Sequence, residues 1–457
     1  HENWPWNIDL FAAETAADLA TILHVLGRRV PEELHNRVRD EIDRRIFRTY
    51  MDHRGLYGYE KHFTNWTGVC FGSIGEAALF TDIPADQRAA LVEAVVTNLN
   101  AYIDQAFTDD GACTEGPGYW NYGLLHFVMC AELLREWTSG AIDLLGHDKL
   151  RLIAQYPAAM HLGNGAYASF SDASQSITLC AVIANKLSQR TNTPALTQLA
   201  APQLSHRFAA LLREILWFTE PARDDIQPPN TTFSNAGVVR RNTEAGGKAA
   251  VLVAKAGRND EPHNHNDIGS FVLHIGQTTF LCDPGAGLYT REYFQPEHRY
   301  ENLFCSSRGH SVPVIGGCAQ APGSDFFGEI IDQTDTNVRM RLETAYPAGT
   351  VRRFEREFRL GGETVLALQD TFESNEATDI SEAFVTWCEV TIDGPRATLI
   401  GHDGNLIIET DMGSFQLQSL DDECKMNGRD GTLRRLTVSR DTVRALTALF
   451  TMTFVPN

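Results

Sequence analysis

The densest group of polar side chains in the sequence is the run HNHND at residues 263–267, directly before the apolar segment GSFVLHIG. If this run is extended, His263 and His265 lie two residues apart and project to one face. Two neighbouring imidazoles are a usual start for a metal site, and Asp283 and His310 offer further ligands of suitable type. The spacing therefore permits a metal site, and a solvated turn rich in His, Asn and Asp is the alternative.

A second polar cluster, EGPGYWNY at residues 115–122, combines a tight turn with several aromatic side chains. Gly and Pro favour the turn, and the aromatic residues then fall in the first turns of a predicted helix. The hydroxyls of Tyr119 and Tyr122 can exchange protons with a substrate, and a flat ring such as that of Trp120 can stack on a sugar. The alternative is a helix start that is only packed by its aromatic side chains.

Two smaller clusters add hydrogen-bonding groups. In TNWTG, at residues 64–68, the amide of Asn65 can hydrogen-bond a substrate carboxyl. The structural alternative is that Thr64 or Asn65 only caps a helix. In EHRY, at residues 297–300, Arg299 and Tyr300 stand together in a polar loop between predicted strands. Neither cluster defines a reaction when it is considered alone.

The spacing of the apolar residues divides the chain into two parts that must position these clusters. From about residue 11 to 217, helical spacing predicts about eight helices of about 15 to 20 residues. The proline-rich segment 219–235 is the best candidate for a linker, and the short alternating segments after it predict strands. We therefore predict a helical domain over residues 1–220. An antiparallel β domain, with two packed sheets, is predicted over residues 221–457.

The composition is that of a folded globular protein and argues against several classes of partner. Of 457 residues, 43% are hydrophobic and 21% are charged, and the formal net charge is -20. This charge argues against a nucleic acid or an anionic membrane as the partner, because both are bound by basic surfaces. No continuous apolar run approaches the ~20 residues that cross a bilayer. The sequence leaves the oligomeric state undetermined.

The cysteines and the first residue bear on the cellular compartment. Nine cysteines occur without a C-x-x-C pair, so buried free thiols are expected rather than a disulfide framework or a thiolate zinc site. The chain begins at His1 rather than at a methionine. If a signal peptide has been removed, a periplasmic or secreted location is favoured, and a cytoplasmic location is the alternative.

Taken in order, four segments resemble the heparinase II/III-like polysaccharide lyases, a group that includes alginate lyases and glycosaminoglycan lyases. They are NWTGVC, EGPGYWNYG, HNHNDIGSFVLHIGQTTFLCDPG and HRYENLFCSSRGHSV. The resemblance spans about residues 60–320, and the block from HNHND to CDPG is its most specific part. It implies an incomplete (α/α) toroid followed by an antiparallel β-sheet domain, with the active site in the cleft between them. This implied fold agrees with the two-part spacing of apolar residues.

The resemblance also implies roles for individual residues. Asn65 would neutralise a uronate carboxylate, and Tyr119 would be the catalytic tyrosine. His263 would assist in proton transfer or carboxylate binding, and Tyr300 would lie near the same sugar. Several relatives have a histidine directly after the asparagine, where this chain has Trp66. This difference argues against a two-base mechanism that accepts both uronate epimers.

A cofactor and further substrate contacts follow from the same resemblance. One divalent metal with a structural role, usually zinc and otherwise manganese or calcium, would be bound by His265, Asp283 and His310. Additional contacts with the acidic polysaccharide are expected from four side chains: Trp66, Trp120, Tyr122 and Arg299.

The implied reaction is β-elimination at a uronate, which leaves 4,5-unsaturated uronate ends. A glycosaminoglycan such as heparin, heparan sulfate, hyaluronan or chondroitin is the favoured substrate, and alginate is the alternative. Two other classes stay open on the residues alone. One is a metal-dependent glycan hydrolase in which Asp267 acts as the base. The other is a non-catalytic glycan-binding protein that uses exposed aromatic rings.

Overall fold

A computed structural model of the chain describes residues 7–201, 205, 207–218 and 228–457. The chain forms two compact units. The helical unit comprises His1–Cys113, Gly118–Ala158 and Thr178–Gln227, and the β unit comprises Thr114–Pro117, Ala159–Ile177 and Pro228–Asn457. Two short segments from the first half of the chain therefore belong with the β unit. The predicted boundary at residue 220 and most of the predicted linker lie outside the described residues.

The helical unit consists mainly of α-helices. Their bounds are α1 Leu10–Leu26, α2 Glu32–Ile42, α3 Thr49–His53, α4 Asn65–Phe80, α5 Ala85–Gln105, α6 Pro117–Trp137, α7 Leu150–Ile153, α8 Tyr156–Met160, α9 Ala181–Thr191, α10 Ala195–Leu199 and α11 Phe208–Leu216. A π-helical segment, Asp43–Arg48, joins α2 to α3.

The predicted helices are confirmed in the first part of the unit but not in its last part. Helices α1, α4, α5 and α6 have 17, 16, 21 and 21 residues. The helix predicted near residues 141–160 is broken into shorter helices, and the one predicted from residue 173 begins only at Ala181. Gly163, Asn164 and Gly165 have positive φ angles and form a turn before it, which ends the helical pattern.

Helix α1 tests the prediction about membrane spans. By length and composition alone, Leu10–Arg29 is long and apolar enough to cross a membrane, with a mean hydropathy of 1.3, and the sequence prediction missed it. In the structure, α1 packs against α4 and α11. Glu14 on α1 is buried, and its carboxylate lies 2.6 Å from the guanidinium of Arg207. One face of α1 therefore packs within the helical unit, whereas Phe11 and Val25 are exposed.

Strands make up most of the β unit. The strands of the whole chain are β1 His161–Gly163, β2 Ala166–Tyr167, β3 Leu179–Cys180, β4 Ala200–Ala201, β5 Thr231–Phe233, β6 Val238–Ala245, β7 Lys248–Lys255, β8 Gly257–Asn259, β9 Phe271–Ile275, β10 Thr278–Leu281, β11 Val314–Ile315, β12 Gly323–Gln333, β13 Asn337–Arg341, β14 Arg353–Leu360, β15 Leu366–Thr386, β16 Glu389–Asp393, β17 Arg396–Ile400, β18 Gly404–Thr410, β19 Gln416–Ser419 and β20 Arg434–Pro456. Two short helices, α12 Pro296–Arg299 and α13 Asp421–Met426, interrupt them.

Two antiparallel sheets share one apolar core in the β unit. Within the described residues, the smaller sheet has the order β10-β9-β7-β6-β5, and the larger follows the path β16-β17-β18-β20-β15-β14-β13-β12-β8. Buried side chains of both sheets form one cluster, and Phe271 of β9 contacts Phe358 of β14 with ring centroids 5.1 Å apart. The predicted fold class, a helical N-terminal part followed by an antiparallel β-sheet domain, is confirmed.

The cysteines also agree with the sequence prediction. All nine, each within the described residues, are free thiols, and seven of them are buried. Burial rather than cross-linking explains why these residues lie within apolar segments.

Candidate functional site

In the helical unit, glycines bring helices α4 and α6 into backbone contact. A Cβ added to Gly68 would lie 2.7 Å from the carbonyl oxygen of Gly123, and one added to Gly72 would lie 2.5 Å from that of His126. Real Cβ atoms do not approach so closely, so only glycine permits this packing. The glycines within NWTGVCFG and NYG therefore determine the distance between the two helices.

This packing places two of the predicted catalytic residues in the same part of the helical unit. Thr64 caps α4 by accepting a hydrogen bond from the amide of Trp66, so the predicted capping role belongs to Thr64. Asn65 is the first residue of α4, and its Cα would lie 3.1 Å from a Cβ at Gly123. Tyr119 lies one turn before Gly123 on α6. The start of α4 and the first turns of α6 are thus neighbours.

The two tryptophans of these motifs differ in accessibility. Trp66 is 36% exposed, so its ring is available to a ligand. Trp120 is completely buried, and its indole nitrogen donates a hydrogen bond to the carbonyl of Ile153 at 2.9 Å. The structure therefore corrects the prediction that Trp120 contacts the substrate, because its ring is part of the core of the helical unit.

Tyr122 has a partner inside the helical unit. Its hydroxyl hydrogen-bonds to Glu14, and burial together with that carboxylate raises its pKa. His126 lies beside this pair, with its Nε2 atom 3.2 Å from Oε1 of Glu14. These contacts tie α6 to α1. We therefore assign Tyr122 a supporting role in place of the predicted substrate contact.

In the β unit, the two histidines of HNHND converge on an acidic residue that the sequence did not reveal. Nδ1 of His263 lies 2.7 Å from Oδ2 of Asp172, and Nε2 of His265 lies 2.9 Å from Oδ1 of the same carboxylate. The loop is not extended, since His263 has a φ of +59°. The two imidazoles therefore meet through the bend of the loop and not through the alternation of a strand.

Asp172 is held as a carboxylate. Burial alone would raise its pKa, but the hydrogen bonds from His263 and His265 and the charge of Arg299 hold the pKa well below its usual range. A carboxylate only accepts hydrogen bonds, so the histidine nitrogens that face it carry protons. In neutral His263 the lone pair is therefore on Nε2. That nitrogen lies 3.8 Å from Oε2 of Glu115, the first residue of EGPGYWNY.

Arg299 and Tyr300 support this loop from within. The guanidinium of Arg299 lies 3.1 Å from Oδ2 of Asp172 and donates a hydrogen bond to the carbonyl of Asn264. Arg299 is buried, which corrects the prediction that it contacts the substrate. The hydroxyl of Tyr300 donates to Oδ1 of Asn264 at 2.9 Å. Burial raises the pKa of Tyr300, so its hydroxyl stays protonated as a donor.

The three predicted metal ligands lie close together. His265, Asp283 and His310 are buried, and each offers a ligand atom within 4.8 Å of the others. Asp172, His265 and Cys305 form a second such group among the described residues. Side chains from three segments that are distant in the sequence therefore come together in the structure.

The hydrogen bonds of His265 and His310 fit a bound cation. Nε2 of His265 donates a hydrogen bond to Asp172, and its buried Nδ1 has no hydrogen-bond partner among the residues that the structure describes. His310 has Nε2 at 3.0 Å from the carbonyl of Phe304 and Nδ1 at 2.9 Å from Oδ2 of Asp283. Nε2 donates to the carbonyl, so Nδ1 faces the carboxylate of Asp283 either with a proton or with its lone pair. A cation bound by both Nδ1 of His310 and the carboxylate of Asp283 would fit this arrangement. Histidines that bind a metal usually donate the N–H of their other ring nitrogen to a carbonyl or carboxylate oxygen.

The charges around His265 favour a positive ion at this point. Burial alone would lower its pKa, but the neighbouring Cys305 and Asp172 raise the pKa to about 10. A proton or a metal cation is therefore stabilised between the imidazole and its acidic neighbours.

Comparison with known families assigns the β unit. Residues 226–427 match the family model described as heparinase II/III-like, C-terminal. The chain therefore carries a heparinase II/III-like domain. This match confirms the resemblance seen in the sequence motifs. No curated protein matches the sequence.

Solved structures of heparinases share the heparinase-like fold of this chain. A heparinase III crystal structure has a TM-score of 0.75 at 16% identity and covers 98% of this chain and 69% of its own. A second heparinase III has a TM-score of 0.73 at 12% identity, with coverage of 99% and 68%. A heparan sulfate lyase from Pedobacter heparinus has a TM-score of 0.66 at 13% identity, with coverage of 90% and 62%. At such identities the similarity shows the fold alone.

The main residue that sequence reasoning missed is Asp172. It lies in FSDAS, next to a segment predicted as a helix, and nothing in its spacing connects it with HNHND some 90 residues later. Tyr293 was missed as well, and its hydroxyl donates a hydrogen bond to the same carboxylate. The contacts of Asp172 and Tyr293 form only when the β unit folds, so a local sequence pattern does not predict them.

Proposed function

We propose that this protein is a polysaccharide lyase that cleaves a uronate-containing acidic polysaccharide by β-elimination. The observation that carries the proposal is the His263–Asp172 pair within a heparinase II/III-like domain. Because ionised Asp172 accepts a hydrogen bond from Nδ1–H of His263, the neutral imidazole has its lone pair on Nε2, where it can accept a proton. An oriented base of this kind is what the removal of a weakly acidic C–H proton requires.

The reaction begins with the carboxylate of the uronate. Its negative charge makes the C5 proton only weakly acidic. In this proposal the amide of Asn65, which is 3% exposed, donates hydrogen bonds that stabilise the charge developing on the carboxyl oxygens. Each donor of this kind is typically worth about 3 to 4 kcal/mol in the transition state. His263 supports the same charge or takes the C5 proton itself.

Tyr119 completes the proposed elimination. As a phenolate it takes the C5 proton, and as a phenol it gives a proton to the departing O4. The electrons of the C5–H bond form the C4=C5 double bond while the C4–O4 bond breaks. No water is consumed.

A glycosaminoglycan is the favoured substrate class, and alginate is the alternative. The support is the heparinase II/III-like domain together with the fold that the chain shares with heparinase III and a heparan sulfate lyase. Two arginines of a type that binds sulfates have acidic partners within the β unit: Arg352 pairs with Glu373, and Arg308 lies 3.8 Å from Glu423. The preference therefore rests on the similarity and not on unpaired arginines.

We also propose that His265, Asp283 and His310 hold one divalent metal. Two imidazoles and a carboxylate suit zinc best, with manganese or calcium as alternatives. The ion would supply fixed positive charge and would tie the HNHND loop to the end of β10 and to the SSRGHSV segment. Its proposed role is structural, and the proton transfers belong to the side chains.

Two alternative functions are less well supported. A hydrolase that uses Asp267 as its base is disfavoured, because Asp267 is buried and lies 2.8 Å from Nζ of Lys255. The alternative of a protein that only binds glycans by stacking is weakened, because Trp120, one of its predicted stacking residues, is buried.

The decisive experiment is a panel of heparin, heparan sulfate, chondroitin, hyaluronan and alginate, followed by the ultraviolet absorbance of unsaturated uronate and by chain-length analysis. We expect absorbing products from at least one polymer, abolished in His263→Ala. The matched control is His402→Ala, since His402 has a 73% exposed side chain. New reducing ends without absorbance would indicate a hydrolase, and binding without products would indicate a glycan-binding protein.

A further inference from the structure

Two exposed aromatic rings lie beside His263 in the β unit. Tyr289 is 44% exposed and Phe294 is 52% exposed, and their ring centroids are 4.8 Å apart. The imidazole of His263 stacks on Tyr289 at 6.4 Å and meets Phe294 edge-on at 6.3 Å. We call Tyr289 and Phe294 the aromatic platform.

The platform is supported from below. Tyr293 is buried beneath it, with ring centroids 5.1 Å from Tyr289 and 5.4 Å from Phe294. The hydroxyl of Tyr293 donates to Asp172 and accepts a hydrogen bond from the amide of Gly287 at 3.2 Å. The same carboxylate that orients His263 therefore also holds the base of the platform.

The loop that carries the platform is closely packed. The amide of Leu288 donates to Oδ1 of Asn427 at 3.1 Å. A Cβ added to Gly287 would lie 2.7 Å from that oxygen and 2.9 Å from the ring of Tyr293. These contacts anchor the loop at Gly287 and Leu288, directly before Tyr289.

The charge of the protein suggests why such a surface is useful. With 59 acidic and 39 basic residues, the chain repels a polyanion at long range. A pyranose ring, however, has an apolar face of C–H groups that can pack on an aromatic ring whatever the charge of its substituents. Stacking is thus a source of affinity that neither the net charge nor added salt removes.

We propose that Tyr289 and Phe294, whose ring planes meet at 72°, bind a sugar ring of the acidic polysaccharide next to the uronate that His263 acts on, with one ring stacked on the apolar face of the sugar and the other at its edge. This inference rests on the proposed function and deepens it by assigning a sugar-binding subsite. The platform positions the chain for the reaction and takes no part in proton transfer.

The test compares variants that remove the ring with variants that retain part of the surface. Tyr289→Ala and Phe294→Leu each remove a ring, and Phe294→Leu keeps most of the apolar bulk. We expect each to raise KM about tenfold with a smaller change in kcat. Tyr289→Phe keeps the ring and should raise KM less than Tyr289→Ala does. Leu417→Ala is the control, since Leu417 is 43% exposed in the same unit and lies on β19.

The outcomes separate the platform from the proposed function. If the protein cleaves a uronate polysaccharide and Tyr289→Ala and Phe294→Leu keep KM within twofold, the platform is overturned and the lyase stands. If no polymer is cleaved, the lyase proposal fails, and oligosaccharide binding by calorimetry tests the platform alone. Binding that weakens in Phe294→Leu but not in Leu417→Ala then supports it, and no binding by the parent overturns it. Sedimentation that shows a dimer lost in these variants, at unchanged KM, would also overturn it in favour of self-association.

Discussion

Nδ1 of His263 lies 2.7 Å from Oδ2 of Asp172, although the two residues are 91 positions apart in the chain. The same carboxylate accepts hydrogen bonds from His265, Tyr293 and Arg299. One buried charge thus orients a proposed proton acceptor, a proposed metal ligand and the base of the aromatic platform. This arrangement makes Asp172 the positioning residue of the β unit.

Substituting Asp172 by asparagine should lower kcat by about 100-fold or more, because an amide can donate to Nδ1 and place the imidazole proton on Nε2. KM should change much less. Steady-state kinetics on the polymer that the parent cleaves would test this, with metal content measured in parallel because His265 would then face a neutral amide oxygen instead of a carboxylate. Asp325→Asn is the control, since Asp325 is an exposed carboxylate of the β unit. Near-normal kcat in Asp172→Asn would contradict the positioning role.

The parts of the site that could be predicted from sequence are those that local patterns encode. HNHND before an apolar strand and CDPG after the next strand gave His265 and Asp283, which the structure brings together with His310. The helical periodicity gave α4 and α6, and their glycines place Asn65 near the start of α6.

What could not be predicted depends on burial and on distant contacts. Trp120 and Arg299 have side chains suited to a sugar, and only the folded chain shows that both are enclosed. Asp172 belongs to a segment that leaves the helical pattern and joins the β unit. No pattern in the sequence predicts that this segment joins the β unit, so the role of Asp172 in orienting both histidines could not be predicted.

Tyr119→Phe should reduce kcat by at least about 100-fold while the polysaccharide still binds, because the change removes one hydroxyl and little packing. Tyr122→Phe is the comparison on the same helix. Its hydroxyl bonds to Glu14, so we expect a loss of thermal stability and a smaller fall in kcat. Turnover and binding isotherms for both variants would decide. A larger loss of kcat in Tyr122→Phe than in Tyr119→Phe would reverse the assignment.

Gly72→Ala should destabilise the helical unit by about 1 to 3 kcal/mol, because the added methyl would lie 2.5 Å from the carbonyl oxygen of His126. Helices α4 and α6 would separate, and activity should fall with Asn65 displaced from the start of α6. Gly58→Ala is the matched control, since no atom lies within 4 Å of its added Cβ. Denaturant unfolding of both variants measures the difference. Equal stability of the two would show that the close approach is not required.

Removal of the metal should lower thermal stability before it alters the chemistry. Elemental analysis is expected to find about one zinc ion per chain in the parent and none in His265→Ala, because the variant lacks one ligand. The melting temperature should fall because the free energy of metal binding adds to the free energy of folding. His298→Ala, at a half-exposed histidine of the β unit, should keep the metal. A chelator should reproduce the lower melting temperature of His265→Ala. A metal-free parent with full activity and unchanged melting would end the proposal.

Glu261 should make the stability of the protein depend on pH near neutrality. Burial raises its pKa to about 7, with Lys255 opposing and Asp267 reinforcing the shift. In the folded state Glu261 therefore keeps its proton up to about pH 7, whereas in the unfolded chain it loses the proton near the ordinary glutamate pKa of 4.5. The sign follows from this difference: the stabilising contribution is complete below about pH 4.5 and is lost as the pH rises through about 7.

Glu261→Gln removes this titration and keeps the shape of the side chain. Between pH 5 and pH 8, the melting temperature of the parent should fall relative to that of the variant by on the order of a few degrees. Glu376→Gln, at an exposed glutamate of the same unit, should follow the parent at every pH. Scanning calorimetry at several pH values would measure the three curves. If the difference in melting temperature between the parent and Glu261→Gln is the same at every pH in this range, Glu261 ionises at its ordinary pKa in the folded state. Only a group whose pKa differs between the folded and unfolded states makes stability depend on pH.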